Sequence, residues 1–189
     1  VPYRAPALML RASPGIATVG PTVIVALPGG RMISMMINTG AIRWEIPIGD
    51  PKGATELERI ADMSGTPAIY GQGVCVAAYQ GRMGCFDVVS GSTFWVKGFS
   101  SKVGVSIDEE HVYAVDTNDK VYAFSNLRGQ SVWRNDKMTY RSLTTPVPYR
   151  SDVAVGDGQG FIHFLSRYDG SFDARIETDG SPILATPVV

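Results

Sequence analysis

The chain has 189 residues, 44% hydrophobic and 19% charged, enough apolar material to bury a core as one domain or a piece of a larger one. Its 17 Lys and Arg against 18 Asp and Glu give a net charge of −1, without the basic signature of a nucleic-acid or anionic-membrane binder. No apolar run is long enough for a membrane-spanning helix. No signal peptide is legible, and Val1-Pro2-Tyr3-Arg4 reads as the interior of a longer or processed chain.

Taken in order, the first twelve residues read as a linker, and Ser13-Pro14 opens a repeat. An apolar run follows (Val23-Ile24-Val25-Ala26), then turn residues Gly29-Gly30, then a third run from Met32 to Ile37. The repeat closes on Gly40-Ala41-Ile42-Arg43-Trp44. After an extra segment with a short polar helical period near Glu56–Asp62, the frame returns. It opens at Thr66-Pro67, continues through Val74-Cys75-Val76-Ala77, Gln80-Gly81 and Met83 to Val88, and closes on Gly91-Ser92-Thr93-Phe94-Trp95. The third copy has Val105 in the proline place, then Val112 to Val115, Asn118-Asp119, Val121 to Ser125 and Gly129 to Trp133. The fourth runs from Thr145-Pro146 through Val153 to Gly156, Gln159-Gly160 and Phe161 to Leu165. It ends on Gly170-Ser171-Phe172-Asp173-Ala174, with alanine where the others have tryptophan. A further Thr186-Pro187 begins a fifth.

The closing residues are spaced by 51, 38 and 41 positions, the long interval containing the extra segment. About forty residues with four short strands separated by turn chemistry is the pattern of a β-propeller blade. The expected fold is therefore all-β, with blades of four antiparallel strands at 13–49, 65–101, 103–138 and 144–180, and a further blade starting at 185–189. Each tryptophan is expected to pack between neighbouring blades, and each preceding glycine to supply a turn with positive φ. The two outermost blade faces are expected to be covered by further chain or by a second copy.

Cys75 and Cys85 flank the Gln80-Gly81 turn. A two-residue loop there sets Cys75 against Phe86 and Cys85 against Val76, on opposite faces, which predicts free buried thiols; a disulfide requires a different loop register. His111 and His163 stand in strand-like runs without partners at metal-ligand spacing. Gly156-Asp157-Gly158-Gln159-Gly160 lies between strands with no following helix, so it reads as a hairpin turn rather than a phosphate loop. Asp108-Glu109-Glu110 reads as a solvated hairpin tip.

The pattern best seen from Asp87-Val88-Val89-Ser90-Gly91 to Trp95 resembles the tryptophan motif of quinoprotein-type propellers. Within that group the whole chain resembles the BamB family of outer-membrane assembly lipoproteins. The matching segments are Pro6 to Ala12, the extra segment Ala54 to Pro67, Val115-Asp116-Thr117-Asn118-Asp119, and Leu143 to Val147 with Val155-Gly156-Asp157. The resemblance implies one half of an eight-bladed ring, lipid-anchored on the periplasmic side of the bacterial outer membrane, with no catalytic activity and no cofactor. It implies a scaffold role in β-barrel assembly, binding the periplasmic domains of the central barrel subunit, with unfolded outer-membrane proteins as a second class of partner. The family's partner-binding residues correspond here to Leu8, Leu10, Arg11 and Asp62, while Ser64 stands where the family has a second aspartate. Exposed leucines would be desolvated anchors, and Arg11 and Asp62 would give direction. The rival function is a fragment of an oxidoreductase that binds pyrroloquinoline quinone. That family's adjacent cysteine pair and calcium-binding carboxylates are not recognisable here.

Overall fold

A computed structural model describes residues 15–49 and 62–188. It shows four antiparallel sheets of four strands, each following chain order from strand to neighbouring strand. The first comprises β1 (Gly15–Val19), β2 (Thr22–Leu27), β3 (Arg31–Met36) and β4 (Ile42–Pro47). The second comprises β5 (Met63–Tyr70), β6 (Gly73–Ala78), β7 (Arg82–Asp87) and β8 (Thr93–Gly98). The third has β9 (Val105–Ile107), β10 (His111–Val115), β11 (Val121–Ser125) and β12 (Ser131–Asn135). The fourth has β13 (Val147–Tyr149), β14 (Asp152–Gly156), β15 (Phe161–Ser166) and β16 (Phe172–Glu177). No helix occurs among the described residues. The helical period near Glu56 lies outside them.

β-Branched and aromatic residues at period two make these strands, and β2 alternates buried and half-buried positions along its length. The core lies between sheets. Ile24, Met32 and Trp44 of the first meet Val74, Val76 and Phe86 of the second. Trp95 then meets Val112 and Phe124 of the third sheet, and Trp133 meets Val153 and Leu165 of the fourth. The first strands of successive sheets approach one another, so they form the hub. Glycine allows that approach: a Cβ on Gly65 would lie 2.5 Å from the Gly104 Cα, and one on Gly15 would overlap the Gly65 carbonyl.

Each tryptophan crosses a seam. Trp44 Nε1 donates to the Val88 carbonyl at 3.2 Å, Trp95 Nε1 to Asn126 at 2.7 Å, and Trp133 Nε1 to Arg167 at 2.8 Å. The ring lies on the closing glycine of the next sheet. Gly91, Gly129 and Gly170 hold φ of 73°, 65° and 71°, and a Cβ on any of them would meet the preceding ring within 2.7 Å. Burying one such ring removes roughly 200 Å² from water, worth about 5 kcal/mol before ordering costs. β16, with Ala174 in the tryptophan's place, is exposed along its whole length.

The cysteine expectation is corrected. Cys75 pairs directly with Cys85 across β6 and β7, their Cα atoms are 4.1 Å apart, and they form a disulfide. The loop has three residues, Tyr79 to Gly81, with Gln80 at a φ of 50°. One more loop residue moves the register by one and brings both sulfurs to the same face. The bridge is buried in the seam with the third sheet, beside Trp95 and Val112.

Candidate partner-docking face

The turns between the second and third strands of each sheet share one end of the fold with the linkers that join sheets. Short hydrogen bonds fasten one to the other. Ile48 and Gly49, leaving β4, donate to the Gly30 carbonyl. The Gln80 amide donates to Ser100 Oγ at 2.9 Å, and the Ser142 amide to Asp119 Oδ2 at 3.0 Å. The Gly158 amide donates to the Arg141 carbonyl at 2.8 Å. This linker face is stiff at its base because the backbone groups of its loops are satisfied by neighbouring turns.

Leu8, Leu10 and Arg11 lie outside the described residues. Asp62 is buried, 3% exposed. Its Oδ1 accepts the Gly29 amide at 2.7 Å and its carbonyl accepts the Tyr79 amide at 2.8 Å, so it joins the β2–β3 turn to the β6–β7 turn. Ser64 is also buried, its Oγ donating to the Ser101 carbonyl at 2.7 Å. The structure does bring together the points where the two expected binding segments join the fold. β1 starts at Gly15 and β5 at Met63, and the Gly15–Gly65 backbone contact makes those strands hub neighbours.

The Gly156 to Gly160 run is a hairpin turn between β14 and β15, as its strand context predicts. Asp157 Oδ1 accepts the Gln159 and Phe161 amides at 2.9 and 3.0 Å, so the N–H groups a phosphate would use are occupied by a carboxylate. Asp116 does the same in the third sheet, accepting the Asn118 and Lys120 amides. The other Asp157 oxygen meets His163 Nε2 at 2.8 Å and Arg141 Nε at 2.7 Å. Burial pushes the Asp157 carboxyl up; the bonds from His163, the Phe161 amide, Arg141 and the Gln159 amide prevail and hold it at about 2. Sequence reasoning missed this cluster. The repeated aspartate before the turn was a usable signal, whereas His163 meets it through the register of the β14–β15 hairpin and Arg141 through the linker packed beside it.

The acidic tip differs in part from expectation. Asp108 is 9% exposed and turns inward, accepting the Glu110 and His111 amides and the Tyr113 hydroxyl. It also pairs with Arg167 of the next sheet at 2.6 Å, which fastens the third seam. Among the described residues no three His, Cys, Asp or Glu gather as a metal group would require. The two cysteines form a cross-strand bridge inside a seam, not an adjacent pair facing a cofactor.

Sheets of four strands, stacked about their first strands and joined by a tryptophan that docks on the next sheet's closing turn, define a β-propeller of the quinoprotein-like type. The family described as outer membrane protein assembly factor BamB matches residues 3–135, and the chain belongs to that family. The BamB of Burkholderia pseudomallei is 43% identical over 98% of this chain and 49% of its own length. That of Bordetella pertussis is 42% identical over 96% of the chain and 47% of its length. The crystal structure of BamB from Moraxella catarrhalis superposes with a TM-score of 0.88 at 29% identity, covering 98% of this chain and 56% of the other. The chain thus spans about half the length of the curated relatives it matches.

Proposed function

We propose that this chain is a non-catalytic scaffold in the assembly of β-barrel outer-membrane proteins. Its linker face binds the periplasmic domains of the central barrel subunit. The observation that carries this reading is the adjacency at the hub of Gly15 and Gly65, which sets the roots of the 1–14 and 50–61 segments side by side. Leu8 and Leu10 supply apolar anchors, and Arg11 a charge-assisted contact. Asp62, being buried, acts from below by fixing the end of the 50–61 segment against the Gly29 turn. Unfolded outer-membrane proteins are a second class of partner. The Cys75–Cys85 bridge fits an oxidising compartment such as the periplasm. The proposed location is the periplasmic side of the outer membrane, through a lipid anchor. The family assignment and the buried position of the cysteine bridge favour the scaffold over a quinone-dependent oxidoreductase.

The test is the affinity of the barrel subunit's periplasmic domains for the protein and for a Leu10→Ala, Arg11→Ala double variant. Loss of two anchors at a protein interface should weaken binding by roughly thirtyfold or more. Unchanged affinity would remove these residues from the interface.

A further inference from the structure

The third seam carries a feature that the repeat does not explain. Between the linker after β12 and the outer strands of the fourth sheet lies a cleft of about 410 Å³. Lys137, Met138, Arg141, His163, Phe172 and Arg175 line it, with Asp173 and Ala174 at β16. Two guanidinium groups stand over the Phe161 ring, that of Arg141 5.6 Å and that of Arg175 4.7 Å from its centre. His163 packs beside Phe161 and Phe172 at ring separations of 6.2 and 5.8 Å.

The charges are unevenly satisfied. Arg141 and His163 are engaged by the buried Asp157. Among the described residues neither Lys137 nor Arg175 forms an ion pair. His163 is 3% exposed, and its Nδ1 is buried with no hydrogen-bond partner there. One carboxylate, Asp173, borders the cleft, and it is exposed. The other sheets do not share this set. The residue paired as Arg175 is with His163 is Glu45 opposite Ile33, Val96 opposite Gly84, and Arg134 opposite Tyr122. Of these, Glu45 pairs with Arg31 and Arg134 with Asp136, leaving no free cation. A local departure from a structural repeat marks a position under a separate demand.

We propose that this cleft binds a carboxylate carried by an apolar stretch of polypeptide, the carboxylate held by Lys137 and Arg175 and the apolar neighbours seated on the exposed Phe172 ring, while the buried Met138 forms the cleft's floor. The carboxylate comes from an acidic side chain or from a free chain end. The cleft's size and its aromatic and aliphatic lining suit an organic anion rather than a bare oxyanion. The proposal stands independently of the barrel-subunit contact.

The probes are three short leucine-rich peptides, studied by fluorescence anisotropy at low and moderate salt. One has a single internal glutamate and blocked ends, one has glutamine there and a free C-terminal carboxylate, and one has glutamine and blocked ends. At least one carboxylate peptide should bind, and which one does identifies the source. The neutral peptide should bind at least tenfold more weakly. A Lys137→Gln, Arg175→Gln double variant, which leaves the Asp157 pairings intact, should lose tenfold or more. Arg128→Gln and the Leu10→Ala, Arg11→Ala variant should bind as the parent does. Equal binding of all three peptides, retention of affinity in the Lys137, Arg175 variant, or equal competition by inorganic phosphate would overturn the assignment.

Discussion

Asp157 shows how a single side chain can be read in kind and missed in role. Its flanking glycines mark a turn, and a turn is what forms. What the turn alone does not show is its pair of partners, Arg141 from the linker that precedes the fourth sheet and His163 from β15 of the same hairpin. Because the folded carboxyl titrates at about 2, below its ordinary 3.8, its contribution to stability is complete above the ordinary value and is lost as pH falls from there through about 2. Asp157→Asn should therefore be less stable than the parent at neutral pH, by on the order of 3 kcal/mol in urea unfolding, with the gap closing towards pH of about 2. A gap independent of pH would show that the carboxylate's charge is not what stabilises this corner.

Among elements, the β6–β7 hairpin carries the clearest divergence between expectation and structure. A two-residue loop is the common short hairpin connection, and it separates the two cysteines. The first two sheets instead have three residues between these strands, and the third and fourth have five and four. In the other three turns Gly30, Asp119 and Gly160 have positive φ. The register was not legible in the second hairpin, because its left-handed residue is Gln80 rather than the neighbouring Gly81, and glutamine does not mark such a position. The tryptophan seams were legible for the opposite reason. Their glycine and tryptophan lie within one short motif, and the contact repeats between sheets. The corrected register makes a chemical prediction. Alkylation of denatured protein without reductant should label neither cysteine, and after reduction should label both. Replacing both by alanine should lower stability by about 2–3 kcal/mol, as expected for a short closed loop. Labelling before reduction would contradict the bridge.

At the scale of the whole molecule, four stacked sheets follow from periodicity alone, because a blade's strands, turns and closing tryptophan all lie within forty residues or so. The docking face does not follow in the same way. A blade repeat specifies how sheets hold one another, while the proposed partner contact falls on 1–14 and 50–61, where the repeat is interrupted. Asp62 illustrates the difficulty: a charged residue beside an insertion reads as a surface contact, yet it is buried and accepts a backbone amide from the neighbouring turn. The scaffold reading therefore rests on the paired roots of the two segments and on membership of the BamB family.

The most direct measurement is photo-crosslinking in the bacterial envelope. One reactive residue is placed at Leu10 and, in a separate protein, another at Val96, an exposed position on β8. The account predicts a crosslink from position 10 to the central barrel subunit and none from position 96. A crosslink from position 96 with none from position 10 would contradict the linker face as the docking surface.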